Sequence, residues 1–179
     1  DLLQPADDRV DFHENRGTGF NRAARGSQRS PQTMLRVVEA DLADPDSLPA
    51  AVEGMDHVVH AAAHVGDWGP AEKYRQRNVQ ALEHMLTAAR RQGTLKRWIQ
   101  VSSMGVYPAR DHFGTDETVE PDIGGLDGYT RTKAEAEVLL QRHIQEHSLP
   151  VVILRPGFVY GPGDRHVLPR IIEKLQAGT

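Results

Sequence analysis

Tyr129 and Lys133 stand four residues apart in the run Tyr129-Thr130-Arg131-Thr132-Lys133. On a helix that spacing puts both side chains on one face, one turn apart. A phenol titrates near pH ~10 and is a poor proton carrier at pH ~7. A neighbouring ammonium favours the phenolate and lowers that pKa, each unit amounting to about 1.4 kcal/mol of differential stabilisation. The pair is a candidate acid–base couple. Taken alone it is a weak signal, because four tyrosines and four lysines make a chance match common. A helical tyrosine is ordinarily a core residue. A second feature lies upstream, in Val101-Ser102-Ser103-Met104-Gly105-Val106-Tyr107. Its hydroxyls can hydrogen-bond a reacting oxygen or satisfy backbone groups at a strand end.

Both features need a scaffold that brings them together, and the pattern from residue 34 onward supplies one. Short apolar or β-branched runs predict strands near 34–39, 56–61, 97–102 and 151–155. Between them, Asp46-Ser47 can cap a short helix through Val52 that Gly54 ends. Tyr74, Asn78, Leu82, Met85 and Ala89 recur at helical spacing within 71–91, and Gly93 stops that helix. Residues 129–147 and 166–176 read as two further helices. Strands alternating with helices, and reading as continuous apolar runs, predict a parallel sheet covered on both faces. Ligands of such sheets sit at the carboxyl ends of the strands. The segments to watch are Asp41-Leu42, His60-Ala61-Ala62-Ala63, Ser102 to Tyr107, and Arg155-Pro156-Gly157.

Composition narrows the function classes. The 179 residues carry 21 basic and 25 acidic side chains, a formal charge of −4, with 39% hydrophobic and 26% charged residues. That is the balance of one soluble globular domain. The absence of cysteine excludes disulfides, thiolate metal sites and a cysteine nucleophile. Of the nine histidines, His57, His60 and His64 lie close together, but His57 and His60 of one strand point to opposite faces. No metal site is expected. No apolar run approaches the roughly 20 residues of a membrane helix, and the acidic start DLLQPADDRV lacks a signal peptide's basic and apolar blocks. A cytoplasmic location is expected. The chain begins with Asp rather than Met, which suggests a processed product or a fragment.

Residues 1–33 show no sustained period and read as an irregular, solvated arm. Between Asn15 and Arg36 lie Arg16, Arg22, Arg25, Arg29 and Arg36, and no acid. A basic run can bind phosphate backbones. This one holds a single aromatic, Phe20, in an acidic protein, so no nucleic-acid partner is expected.

The combination is more specific than its parts. A Ser-Ser strand tip, then Tyr-x-x-x-Lys, then Arg-Pro-Gly, in parallel α/β order, resembles the extended short-chain dehydrogenase/reductase superfamily, the NAD-dependent epimerase/dehydratase group. The likeness runs from about Arg36 to Thr179. It implies an incomplete Rossmann-like doubly wound parallel sheet over 34–179 and NAD or NADP as cofactor. Asp41 and Leu42 look like the pair at the adenine end, and Ala61, Ala62 and Ala63 like the strand tip under the dinucleotide. Asn78 matches a helix asparagine beside the active site, although Gln80-Ala81-Leu82 departs from the small residues usual after it. The resemblance selects Ser103 over Ser102 as the catalytic serine. Tyr129 and Lys133 match the acid–base pair, and Pro156 and Val159 the segment around the nicotinamide. Tyr129 would exchange a proton with the substrate oxygen, Ser103 would hydrogen-bond it, and Lys133 would lower the tyrosine's pKa and hold the ribose.

The stretch VGDWGP before Tyr74 and RNV, with RPGFVYGPGDRHVLPRIIEKLQAG, is more similar to the 3β-hydroxysteroid and sterol dehydrogenase branch than to the nucleotide-sugar epimerases or dehydratases, which remain the alternative. The implied substrate is a small molecule, sterol-like or a nucleotide sugar, and members of the family can form homodimers. Trp68, Tyr107 and Phe158 could line an apolar pocket. The glycine turn that would cradle a pyrophosphate has only a partial counterpart in Arg16-Gly17-Thr18-Gly19-Phe20-Asn21-Arg22, and Gly19 lies 22 residues before Asp41. One βαβ unit takes about 30 residues. Two central strands and the phosphate loop are therefore expected to be absent or corrupted, leaving the strand at 56–61 as an open edge and the isolated chain inactive.

Overall fold

The computed structural model describes residues 9–15, 35–66, 69–162, 164 and 167–178. Three strands form the central sheet: β3 (His57–His60), β4 (Arg97–Val101) and β5 (Val151–Leu154). They run parallel in the order β3-β4-β5, with His60 opposite Gln100 and Val101 opposite Leu154. Parallel neighbours need long crossovers, and helices supply them. Between β3 and β4 the chain passes through α2 (Ala71–Arg75), a π-helical turn (Gln76–Gln80) and α3 (Ala81–Gln92). Between β4 and β5 runs α4 (Gly128–His147), and α5 (Val167–Ala177) closes the chain. The expected strands and helices are present within a few residues of their predicted bounds. The architecture is the incomplete Rossmann-like parallel sheet that the pattern implied.

The core lies on one face of this sheet. Val58 and Trp98 pack with Leu82, Met85 and Leu86 of α3 and Leu140 of α4. The short helix α1 (Leu48–Val52) adds Leu48 and Val52 to the same cluster. Ser47 does not cap α1 with its side chain, contrary to expectation. Its hydroxyl instead donates to the carbonyls of Asp41 and Asp44 and accepts from the Asp41 amide at 3.0 Å. The physical reason is competition: the oxygen that would accept from a free helix amide accepts from the Asp41 amide instead.

Two expectations need correction. Residues 9–15, read as part of an irregular arm, form strand β1 (Arg9–Asn15). It pairs antiparallel with β2 (Leu35–Asp41), so β2 stands in its own two-stranded ladder and not in the parallel sheet. Val10 and Phe12 stand opposite Ala40 and Val38, a period-two alternation too short to register as a sustained pattern. An unpaired strand must find backbone partners, and without its sheet neighbours β2 takes the nearest segment. The second correction concerns the sheet's other face. Val58 and His60 are buried, but Val59 between them is 64% exposed, so among the described residues β3 is covered on one face. The glycine turn at 16–22, the arginines of the basic arm before Arg36, and Trp68 lie outside the described residues.

Candidate functional site

Two backbone hydrogen bonds extend the β4–β5 pairing past the strand ends. The Ser102 amide donates to the Leu154 carbonyl at 2.7 Å and the Met104 amide to the Pro156 carbonyl at 3.0 Å. They bring the serine turn beside Pro156 at the carboxyl edge. The Ser103 hydroxyl caps the following 3₁₀ turn (Met104–Val106) by accepting from the Gly105 amide at 3.1 Å. Gly105 is required there. A Cβ would stand 2.8 Å from the Thr130 methyl in the first turn of α4.

The start of α4 is fixed with similar care. Asp127 accepts from the Thr130 amide at 2.7 Å while the Thr130 hydroxyl accepts from the Asp127 amide at 3.2 Å, a reciprocal cap. Such a cap contributes about 1 kcal/mol. It aims Tyr129 and Lys133 at the β4 tip. The Lys133 ammonium stands 5.7 Å from the centre of the Tyr129 ring and donates to the Val101 carbonyl at 2.8 Å. The Ser103 side chain lies near enough to the Tyr129 phenol to favour its ionised form. Serine, tyrosine and lysine thus converge.

Their electrostatics differ from the expectation that Lys133 lowers the pKa of Tyr129. Burial raises the phenol above its ordinary value of 10.0; Asp127's charge adds to this and the hydrogen bond from Ser103 opposes it. Lys133 is itself pushed down to about 8 by burial, against the charge of Glu137. Desolvation disfavours both charged forms, and the ammonium spends its hydrogen bond on a carbonyl. The correction is physical: helical spacing measures proximity, not desolvation.

Asn78 lies in the π-helical turn, a distortion frequent at functional sites. Its amide donates to the His64 carbonyl and to the Thr132 hydroxyl, each at 3.0 Å, and its carbonyl accepts from the His64 amide at 2.6 Å. It ties the segment after β3 to the helix of Tyr129 and Lys133. Ala61 is exposed, and Ala62 and Ala63 are half-buried on that segment. The Asp41 carboxylate accepts from the Ala43 amide at 2.8 Å. Leu42 is buried in the core, so only its backbone can meet a ligand. Pro156 is half-buried and Val159 exposed. Phe158 is 83% exposed, and Tyr107 is held by Arg155 and by a bond from its hydroxyl to the Asp116 carbonyl, so these two do not form an apolar wall.

Sequence reasoning did not foresee the surroundings of two buried side chains. His60 is buried, hydrogen-bonded to Gln100 at 3.1 Å, and pushed down to about 4 mainly by desolvation. Glu137 is buried against Arg155 and Ser102. The available signal was its place four residues beyond Lys133, an acid on the inward face of a helix. Among the described residues no three His, Asp or Glu side chains converge as a metal site would require, and no helix is long and apolar enough to cross a membrane.

A parallel sheet with these groups gathered at its carboxyl edge defines a Rossmann-like α/β protein. The chain belongs to the NAD dependent epimerase/dehydratase family, whose model matches residues 3–179. It is 34% identical over 146 residues to the 2-alkyl-3-oxoalkanoate reductase of Stenotrophomonas maltophilia, covering 79% of this chain and 43% of that protein. It is 33% identical over 169 residues to the 3 beta-hydroxysteroid dehydrogenase/Delta 5-->4-isomerase of Mycobacterium tuberculosis, covering 89% and 44%. Its fold is similar to the UDP-glucuronic acid 4-epimerase of Bacillus cereus in complex with NAD, with a TM-score of 0.61 and 28% identity over 73% of this chain and 42% of that one. The chain spans about two fifths of the length of these relatives.

Proposed function

We propose that this chain carries the catalytic edge of an NAD(P)-dependent oxidoreductase acting at a secondary alcohol or ketone. The observation that carries the reading is the convergence of Ser103, Tyr129 and Lys133, with the ammonium 5.7 Å from the phenol ring. The residues fit the nicotinamide half of a dinucleotide. Lys133 makes one described hydrogen bond, to Val101, and an ammonium has three donors, so it can also hold a ribose hydroxyl. Ala61, Ala62, Ala63 and Pro156 present small or rigid surface to the same edge, Val159 follows them, and Asp41 and Leu42 are the proposed contacts of the adenine end. The bound cofactor would accept or supply hydride. Tyr129 exchanges the proton of the reacting oxygen, Ser103 hydrogen-bonds that oxygen, and Asn78 holds α4 in place.

A sterol-like substrate is the preferred class, supported by likeness to the mycobacterial steroid dehydrogenase. The second reading, a nucleotide sugar, is favoured by likeness to the UDP-glucuronic acid 4-epimerase. We place the protein in the cytoplasm, beside the soluble nicotinamide pool, and as a homodimer in its active form.

The test is a fluorescence titration of the chain with NADH and, separately, NADPH. Saturable binding is expected; Lys133→Met weakens it about tenfold, and Tyr129→Phe changes it less than about threefold. No saturation with either nucleotide at millimolar concentration overturns the proposal.

A further inference from the structure

Glu137 lies four residues beyond Lys133 and eight beyond Tyr129 on α4, so it continues their face of the helix inward. It is 1% exposed. A carboxylate in that position persists only if paired and hydrogen-bonded. Arg155 supplies the pair, with Nη2 at 2.7 Å from Oε2 and Nε at 3.1 Å from both carboxylate oxygens. The Ser102 hydroxyl donates to Oε1. Arg155 also reaches outward: its Nη1 donates to the Val119 carbonyl at 3.1 Å, and its guanidinium stands 4.7 Å from the Tyr107 ring centre.

Four segments therefore meet at one carboxylate. The β4 tip enters through Ser102, next to Ser103. The β5 tip enters through Arg155, next to Pro156. The loop that delivers α4 enters through Val119, and α4 itself carries Glu137. The proposed hydride-transfer machinery uses none of Glu137, Ser102 and Arg155, although Ser103 adjoins Ser102 in the chain and Lys133 stands one helical turn before Glu137.

We propose that Glu137, through its pair with Arg155, is the positioning residue of this site: it locks both strand tips and α4 into one arrangement and supplies the negative charge that Lys133 faces. The proposal deepens the reading given above and rests on it for the identity of the ligand. The groups facing Lys133 are Tyr129 and Glu137 from α4, the Val101 carbonyl from β4 and the neutral His60 from β3. Arg155, just after β5, is spent on Glu137. Glu137 is therefore the one anionic group described as acting on that ammonium.

The test reads Lys133 directly. The chain, Glu137→Gln, and the double variant Glu137→Leu with Arg155→Met are pulsed with acetic anhydride from pH ~6 to ~10, and acetylation of Lys133 is measured by peptide mass spectrometry. Lys73 and Lys96 serve as internal references. Both variants are expected to become half-reactive about one pH unit lower than the parent, which at pH ~7 means about fivefold more acetylated Lys133. NADH affinity should fall about tenfold. Glu137→Gln leaves a part-buried guanidinium without its carboxylate and can fail to fold; the double variant removes both charges and keeps both sites apolar and filled. A folded double variant whose Lys133 profile and NADH affinity match the parent overturns the proposal. Where the parent itself binds no dinucleotide, the functional reading fails separately, and the acetylation profile alone decides the role of Glu137.

Discussion

The side-chain amide of Asn78 stands 3.0 Å from the hydroxyl of Thr132, next to Lys133 in the chain, and this contact crosses from the π-helical turn to α4. The Thr132 hydroxyl in turn donates to the Gly128 carbonyl at 2.7 Å. Gly128 has to be glycine, because a Cβ would come within 2.8 Å of the buried Tyr74 ring. One asparagine thereby fixes how deep the tyrosine–lysine helix sits.

Asn78→Leu should cost about 2–3 kcal/mol, since it removes the hydrogen bonds that Asn78 makes to the Thr132 hydroxyl and to the backbone amide and carbonyl of His64. Urea denaturation followed by circular dichroism measures it. A loss under about 0.5 kcal/mol would mean that water replaces the asparagine.

Stability should rise with pH on the alkaline side. Lys133 falls from 10.5 to about 8 on folding, so the unfolded chain binds more protons than the folded one between those values. Stability therefore increases with pH across that window, by about 2 kcal/mol from pH ~7.5 to ~9.5. Tyr129, raised in the folded state, works the other way only once pH passes its ordinary value of 10.0. Lys133→Met should flatten the rise in urea midpoint, and a persistent rise would assign it elsewhere.

Acid should weaken the fold as His60 takes up a proton. His60 is lowered from 6.5 to about 4, so between these values the unfolded chain again holds the extra proton, and stability falls as pH falls. The loss is about 2 kcal/mol between pH ~7 and ~4.5. Asp56, exposed and lowered to about 2 by Lys96 and His57, titrates below this window. His60→Leu should remove most of the dependence; Gln100 would keep the Trp98 indole as its partner at 3.2 Å.

Val59, 64% exposed on β3, should be an aggregation site, because β3 pairs only with β4 among the described residues. Val59→Lys is expected to slow concentration-dependent light scattering while changing stability by less than about 0.5 kcal/mol. Unchanged scattering would point to another surface.

The 179-residue chain by itself should show no turnover of a secondary alcohol with NAD, although weak nucleotide binding is expected. A pyrophosphate is held at a helix N-terminus that follows a glycine turn, and no described helix directly follows such a turn at the end of a strand. Steady NADH production with a sterol or any secondary alcohol, followed at 340 nm as is usual for about any nicotinamide assay, would refute this.

The sequence by itself determined whatever depends on neighbours along the chain. The apolar runs at 57–60, 97–101 and 151–154 became parallel strands, and the four-residue spacing placed Tyr129 and Lys133 on one helical face. Local φ/ψ preference and side-chain period suffice for that. The tertiary structure alone decided what depends on distant partners and on exclusion of water. It paired β2 with β1, buried Glu137 against Arg155 across 18 residues of sequence, and joined Asn78 to Thr132 across 54. It also set the sign of the shift at Tyr129, because spacing brings an ammonium near a phenol but only burial decides which charge survives there.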